Sequence, residues 1–249
     1  MGQHGKQLRH VQEFLNVGYS VLRGLFSEED IDKLKTSRAE IEAKARDPNY
    51  TAPDPRIRFR FAPDDPTHLS LVDWPCLADP VLDSFRIDAR LFDVLSPILG
   101  PDIVTARNAF FLKSPGASGT TIGFHQDAQW GNPSVHRNLA RSYVQCGLAV
   151  DPHSRAAGGV QIIPRSHRAG FAITDKPVLG GDLHTSILDE LGLKQADAID
   201  LELAPGDVAI WSAYTVHGSG PNRSAHPRAF YVSGYMSSAD CDEGERAFG

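Results

Sequence analysis

The chain has 249 residues, of which 41% are hydrophobic and 22% are charged, and its formal net charge at pH 7 is −6. This length suits one large domain, and the composition is that of a globular protein, which excludes a disordered chain. The negative charge and the lack of any run of Lys and Arg argue against a nucleic-acid partner. No stretch approaches the roughly 20 apolar residues of a membrane span.

Three cysteines, Cys76, Cys146 and Cys241, are widely spaced and form no Cys-x-x-Cys pair. The sequence therefore predicts neither a disulfide framework nor a cysteine zinc site. Residues 1–15 lack the apolar core of a secretory signal, so we expect a cytoplasmic protein without a membrane anchor. No exposed apolar helix stripe stands out, and the sequence indicates no particular oligomeric state.

The N-terminal part of the chain predicts one short strand and two helices. Residues 19–22 favour the strand. Residues 27–41 begin with Ser-Glu-Glu-Asp, an N-cap followed by carboxylates, and continue with isoleucine and leucine at near-helical spacing. A second helix is predicted over residues 79–96, with Pro97 followed by Gly100 marking its end. Residues 46–72 are rich in Pro, Asp and Arg without periodicity, which predicts a long loop.

After residue 102 the pattern changes to short runs of β-branched and aromatic residues separated by Gly, Pro, Asn and Asp. Helices first and many short strands afterwards predict a mainly β fold with flanking helices, in which N-terminal helices buttress a double-stranded β-helix, or jelly roll. The predicted strands cover residues 103–112, 142–150, 159–163, 198–203, 207–211 and 228–235. We expect a single domain over 1–249, with helical support and a substrate loop in 1–101, the jelly-roll core in 102–236 and a tail in 237–249.

The stretch GFHQDAQWG, residues 123–131, follows a predicted strand and contains His125 and Asp127 two positions apart. Side chains two apart on a strand share a face, so both could bind one metal ion. His217 follows another apolar strand, and two imidazoles with one carboxylate form the facial triad of non-haem Fe(II) oxygenases. The His-x-Asp pair alone is a weak signal, because such pairs are more often structural. Five other histidines compete as the third ligand: His136, His153, His167, His184 and His226.

Four stretches, in order, resemble the phytanoyl-CoA dioxygenase family of Fe(II)- and 2-oxoglutarate-dependent oxygenases. The opening GYSVLRGLFSEEDIDKLK is similar to the first strand and helix of that family, and FFLKSPGASGTTIGFHQDAQW resembles its first metal-ligand strand. GLAVDPHSRAAGGVQIIPRSHRAG resembles a stretch with a double glycine, and LAPGDVAIWSAYTVHGSGPNRSAHPRAFYVSGY resembles the closing pattern with its histidine and arginine. Any one stretch is weak, whereas four with the expected separations identify the chain as a member of the family.

The resemblance implies a role for six residues. Arg228 would hold the distal carboxylate of the co-substrate 2-oxoglutarate, for which its planar guanidinium is suited. Ser219 would donate a hydrogen bond to the same carboxylate, and Asn108 would touch the co-substrate. Iron halogenases of the family replace the aspartate, whereas Asp127 is present here, so the resemblance implies oxygen transfer or desaturation with O₂ and release of succinate and CO₂. The implied Fe(II) ligands are His125, Asp127 and His217.

The predicted substrate is a small-molecule metabolite, and four residues are candidates to contact it. Trp130, three residues after Asp127, would form a pocket wall, although a Trp at a strand end is more often simply packed. Arg58 and Arg60 in RIRFRF alternate like an edge strand and could face an anionic substrate, and a solvated strand face is an equal alternative. Gln145 could point inward from its strand.

Two functions from other classes are also compatible with a jelly roll. A cupin-like metal enzyme would not use 2-oxoglutarate, and it would have no reason to place Arg228 shortly after the last histidine. A binding protein that has lost catalysis would keep the fold and shed a metal ligand, whereas all three predicted ligands are intact. Titration with metal and 2-oxoglutarate separates both alternatives from the dioxygenase.

Overall fold

A computed structural model describes residues 3–116, 119–174 and 178–249, with side chains from residue 9 onward. Two antiparallel sheets of eight and four strands pack against each other through a shared apolar core. The strands are, in chain order, β1 (Tyr19–Leu22), β2 (Arg58–Ala62), β3 (Asp65–Asp73), β4 (Ile103–Lys113), β5 (Ile122–His125), β6 (Tyr143–Ala149), β7 (Val160–Ile162), β8 (Ile199–Asp200), β9 (Val208–Ser212), β10 (His217–Ser219), β11 (Arg228–Ser237) and β12 (Glu245–Phe248).

The strand order shows the predicted double-stranded β-helix. The large sheet has the order β1-β9-β6-β11-β4-β3-β2, with β12 also paired to β4, and the small sheet has the order β5-β10-β7-β8. From β4 to β11 the chain crosses repeatedly between the two sheets, so the jelly-roll prediction is confirmed. Each of the six strand predictions after residue 102 coincides with a strand of the structure.

Side chains along the large sheet alternate between two buried faces. Phe110 on β4 and Tyr231 on β11 face the helices, with ring centroids 5.6 Å apart. Phe230 and Val232 face the small sheet instead. Because both faces are covered, these strands carry apolar residues almost without interruption.

Helices pack on the outer face of the large sheet. The helix predicted after Ser27 begins with a capping box, in which the Ser27 hydroxyl and the Asp30 carboxylate each accept from the other residue's N–H. The helix predicted over 79–96 is divided in two, because the Asp88 carboxylate accepts from the Arg90 N–H and starts a new helix. Within the described ranges, no helix has the length and apolar character needed to cross a bilayer. The helices are α1 (Gln3–Val17), α2 (Glu28–Arg46), α3 (Pro80–Arg86), α4 (Ala89–Leu99), α5 (Leu139–Ser142) and α6 (Ser186–Glu190).

The long loop predicted over residues 46–72 is wrong, because β2 and β3 form an antiparallel pair there. β3 pairs in turn with β4, and β2 is the edge strand of the large sheet. Leu69, Leu71 and Val72 on β3 are all buried, so the run lacks the alternation that reveals a half-exposed strand. β1, β2 and β3 come before the predicted core of residues 102–236 in the sequence, and β12 comes after it. All four strands join the large sheet.

Candidate metal and co-substrate site

The two predicted histidine ligands are paired across neighbouring strands. His125 ends β5 and His217 begins β10, and the two residues are register partners with ring centroids 4.2 Å apart. Each Nδ1 lies against a backbone carbonyl two residues earlier, that of Gly123 for His125 (2.7 Å) and that of Thr215 for His217 (3.0 Å). A carbonyl only accepts, so each Nδ1 carries the proton and each Nε2 keeps a lone pair for a metal.

Asp127 completes the group from a 3-10 turn, Asp127–Trp130, rather than from the strand itself. Its carboxylate oxygens lie 3.6 Å from His125 Nε2 and 3.8 Å from His217 Nε2. The Trp211 indole on β9 donates a 3.0 Å hydrogen bond to Asp127 Oδ2 and so orients the carboxylate. The ligand atoms of the three residues all lie within 4.8 Å of one another, so one metal ion can contact all three.

The charge state of the group suits a divalent metal at neutral pH. Burial would raise the pKa of Asp127, but His217, His125 and the Arg107 guanidinium lower it to about 2. Burial and the neighbouring His125 lower the pKa of His217 to about 4, although Asp127 opposes this. At pH 7 the carboxylate is therefore ionised and the His217 imidazole is neutral, so neither has to release a proton to bind a metal.

Removing the indole hydrogen bond tests whether Trp211 orients the carboxylate. We expect Trp211→Phe to lower the affinity for Fe(II) by about tenfold, the scale typical of lost outer hydrogen bonds around a metal ligand. Anaerobic Fe(II) titration measures the change, with Trp74→Phe, a substitution outside the site, as the matched control. Equal affinities in Trp211→Phe and the wild type would show that the hydrogen bond does not contribute.

Two buried cations lie further along the same inner face. Arg228 begins β11 and is the register partner of Lys113, which ends β4, and the two residues are 1% and 3% exposed. Arg228 donates from Nε (3.1 Å) and from Nη2 to the Gly158 carbonyl. Lys113 Nζ, which the sequence analysis did not assign, donates to Ser219 Oγ (2.7 Å) and to the Gly220 carbonyl (2.6 Å). Among the described residues, neither cation has a carboxylate within salt-bridge distance.

The electrostatic environment of Lys113 and Arg228 favours the binding of an anion nearby. Burial and the neighbouring Arg228 hold the pKa of Lys113 well below its usual range. Burial likewise lowers the pKa of Arg228 to about 9, although Asp151 opposes the shift. A buried charge without a counter-ion is unfavourable, so an anionic group that binds to Arg228 in the cavity is stabilised. Ser219 lines the cavity at the same place, and its hydroxyl proton is free to donate to such a group.

Asn108 does not contact the cavity, which corrects its predicted role. Its Oδ1 accepts from the Cys76 N–H (3.2 Å), and its Nδ2 donates to Ser233 Oγ (3.0 Å), on the helix-facing side of β4. Side chains alternate along a strand, so the neighbouring Arg107 faces the cavity instead. Asn108 therefore ties β4 to the segment at Cys76, and Arg107 is a site residue that the sequence analysis missed.

A cavity of about 670 Å³ between the sheets contains the metal group, Arg228 and three of the four predicted substrate residues. Trp130, Gln145 and Arg60 all line it. Trp130 is 53% exposed, with its ring centroid 4.8 Å from that of His125, so it forms a wall beside the metal group. Arg58 is exposed on β2 and does not line the cavity, which corrects its predicted contact with substrate.

The residues of the site fit the groups that the sequence predicts. Two imidazole Nε2 atoms and one carboxylate are the donor set of non-haem Fe(II), and they leave coordination positions for a co-substrate. The buried Arg228 guanidinium and the Ser219 hydroxyl, which both line the cavity, fit the distal carboxylate of 2-oxoglutarate. The jelly roll and this site together place the protein in the class of Fe(II)- and 2-oxoglutarate-dependent dioxygenases.

The chain belongs to the phytanoyl-CoA dioxygenase (PhyH) family, whose profile matches residues 14–230. A probable alpha-ketoglutarate-dependent hypophosphite dioxygenase from Stutzerimonas stutzeri is 26% identical over 228 residues, which are 90% of this chain and 76% of that relative. The ectoine dioxygenase of Bordetella parapertussis is 25% identical over 238 residues, which cover 88% of this chain and 71% of the relative.

Solved structures share the fold over nearly the whole chain. EctD from S. alaskensis, with 2-oxoglutarate and 5-hydroxyectoine, has a TM-score of 0.74 and 23% identity, covering 97% of this chain and 79% of EctD. The epimerase SnoN, in complex with Fe³⁺, alpha ketoglutarate and nogalamycin RO, has a TM-score of 0.70 and 15% identity. The match covers 95% of this chain and 85% of SnoN. These similarities confirm the predicted fold.

Proposed function

We propose that this protein is a dioxygenase that uses Fe(II) and 2-oxoglutarate to hydroxylate a C–H bond of a small-molecule metabolite. The observation that carries the proposal is one cavity that contains both the His125–Asp127–His217 group and the buried Arg228, which has no carboxylate of the described residues within salt-bridge distance. Membership of the PhyH family supports the same reaction class. Relatives named for hypophosphite and ectoine support a small-molecule substrate.

In this proposal the chain's own residues bind, orient and shield the reactants. The two Nε2 atoms and the Asp127 carboxylate would hold the iron, while Arg228 and Ser219, which line the cavity, would hold the distal carboxylate of 2-oxoglutarate. Lys113 would support Ser219 from behind. Iron and co-substrate supply the oxidation, in which O₂ converts 2-oxoglutarate to succinate and CO₂ and the substrate is oxidised. The apolar cavity walls, which include Phe230, keep water and stray groups away from the reacting atoms.

We also propose that the chain works as a single domain over 1–249 in the cytoplasm. Strands before residue 102 and after residue 236 join the large sheet of the jelly roll, which supports one domain. The three cysteines are buried and form no disulfide, which suits a reducing compartment. The net charge of −6 supports a small molecule, and not a nucleic acid, as the partner.

Anaerobic addition of Fe(II) and then 2-oxoglutarate to the metal-free protein tests the proposed activity. We expect a weak visible charge-transfer band when 2-oxoglutarate chelates the iron, and no band with glutarate, which lacks the keto oxygen. Succinate release after exposure to O₂ then screens substrates. Iron binding without the band would contradict the proposal in favour of a cupin-like enzyme, and failure to bind iron would favour a binding protein.

A further inference from the structure

Three strands of the large sheet place a row of polar side chains along the cavity floor. Arg107 on β4, Gly234 on β11 and Gln145 on β6 are register partners in turn, and Gln145 pairs next with Trp211 on β9. Trp211 holds the Asp127 carboxylate, so the row begins beside the metal group. Arg107, Gln145 and Trp211 all line the cavity.

Gly234 lets the polar groups of this row approach one another. A Cβ atom at this position would meet Tyr143 Oη at 2.2 Å and Gln145 Oε1 at 2.9 Å. The Tyr143 hydroxyl lies over the glycine and donates a 2.5 Å hydrogen bond to Gln145 Oε1. The acceptor oxygen of Gln145 is thereby used, whereas its Nε2 has no acceptor among the described residues. Gln145, which lines the cavity, therefore has its Nε2 donors available to a bound group.

Arg107 also offers unused donors. Its nearest carboxylate is that of Asp73, with Nη2 to Oδ1 at 3.8 Å, and the described residues give its guanidinium no hydrogen bond. Asp73 is already held by Arg60, whose Nε donates to Oδ2 at 2.8 Å. Two arginines thus share the Asp73 carboxylate, and the other carboxylate on which Arg107 acts, that of Asp127, belongs to the metal group. Of the described residues that line the cavity, three are arginines and only Asp127 is acidic.

The row is separate from the proposed 2-oxoglutarate site. Arg228 and Gly234 are six residues apart on β11, a Cα separation of about 20 Å in an extended strand. Arg107 and Gln145 lie two strands apart, at about 10 Å between Cα atoms, so their long side chains can converge on one group. The row therefore lies toward the opposite end of β11 from the Arg228 position that would hold the distal carboxylate of 2-oxoglutarate.

We propose that the oxidised substrate is a small anion, whose carboxylate, phosphonate or phosphate group binds Arg107 and the Gln145 carboxamide, with Arg60 at the rim. This inference rests on the proposed function and names the substrate class of the same cavity. Guanidinium and amide donors match the oxygens of such a group, and the excess of arginines over acidic residues in the cavity wall favours a monoanion over a neutral or cationic molecule. The anionic group anchors the molecule and leaves its C–H bonds toward the metal group.

Binding of small probes to the protein loaded anaerobically with Fe(II) and 2-oxoglutarate tests the proposal. Loading first fills the Arg228 site, so an added anion reports on the second site. We expect methylphosphonate to shift the charge-transfer band saturably, and the neutral dimethyl methylphosphonate and the cation tetramethylammonium to leave it unchanged. Acetate in a parallel titration distinguishes a preference for carboxylate from one for phosphonate.

Variants locate the binding group. Arg107→Gln is expected to raise the apparent Kd for methylphosphonate by about tenfold to a hundredfold, the scale of a lost charged hydrogen-bonding pair, and Arg107→Lys by less. Arg58→Gln is a matched change on β2 outside the cavity. It should leave the apparent Kd for methylphosphonate within about twofold of the wild-type value. The band itself persists in each variant, which shows that the site is folded.

The outcomes separate the two proposals. Absence of the band in the wild type would overturn the dioxygenase assignment. A normal band together with anions that bind no better than the neutral ester, or with equal anion affinity in Arg107→Gln and the wild type, would overturn only the anionic substrate.

Discussion

His217→Ala is expected to abolish the charge-transfer band of the iron–2-oxoglutarate chelate and to reduce succinate release by at least about a hundredfold. The substitution removes one of three ligand atoms, so the loss should exceed the 10- to 100-fold typical of outer hydrogen bonds. Only His125 and Asp127 would then remain to bind the ion, through two ligand atoms instead of three. Anaerobic titration with Fe(II) and 2-oxoglutarate, followed by succinate measurement in air, gives both quantities.

The matched control is His184→Ala. This histidine is exposed, lies 3.6 Å from the Asp189 carboxylate, and is outside the metal group. We expect its band and its succinate release to equal those of the wild type. A band of normal intensity in His217→Ala would mean that another residue supplies the third ligand, and the assignment of His217 would be wrong.

Arg228→Gln should weaken 2-oxoglutarate binding by about two orders of magnitude, because it removes a buried charge that pairs with the distal carboxylate. The metal-free protein should become no less stable. Burial lowers the pKa of Arg228 to about 9, and a buried cation without a counter-ion is costly, so a neutral amide relieves that cost. Titration of the charge-transfer band measures the affinity, and urea unfolding measures the free energy of unfolding.

Arg155→Gln provides the comparison for this variant. Arg155 lies on the surface in an ion pair with Asp200, and its side chain is 69% exposed. Its replacement should change neither the affinity nor the stability appreciably. If Arg228→Gln lost stability and bound 2-oxoglutarate normally, Arg228 would serve only to hold the Gly158 carbonyl, and the co-substrate site would lie elsewhere.

The metal group could be predicted from sequence because several weak signals coincide in the order typical of the family. His125 and Asp127 follow a strand, and His217 follows another with Arg228 eleven positions later. A jelly roll brings these strand ends together whatever the details of the connecting loops. The structure places the three ligands as one group even though Asp127 lies on a turn rather than on the strand.

Other parts of the site could not be predicted, for reasons of strand geometry. β4 is buried on both faces, so hydrophobic alternation does not show which residues face inward. The family resemblance implies Asn108 as a co-substrate residue, whereas its neighbour Arg107 is the residue that faces the cavity. Lys113 stands at a strand end, where a lysine is usually solvated, and only the tertiary structure shows that it is buried against Ser219.

His125 and His217 are register partners although most of the jelly roll separates them along the chain. Contacts between such distant segments form late in folding, because closing the intervening chain costs conformational entropy before the contact stabilises it. In a partly folded chain that lacks the β5–β10 pairing, the ligand residues are far apart and do not form a metal site. We therefore expect metal affinity to be acquired late in folding, and iron to stabilise the native state over intermediates that lack this pairing.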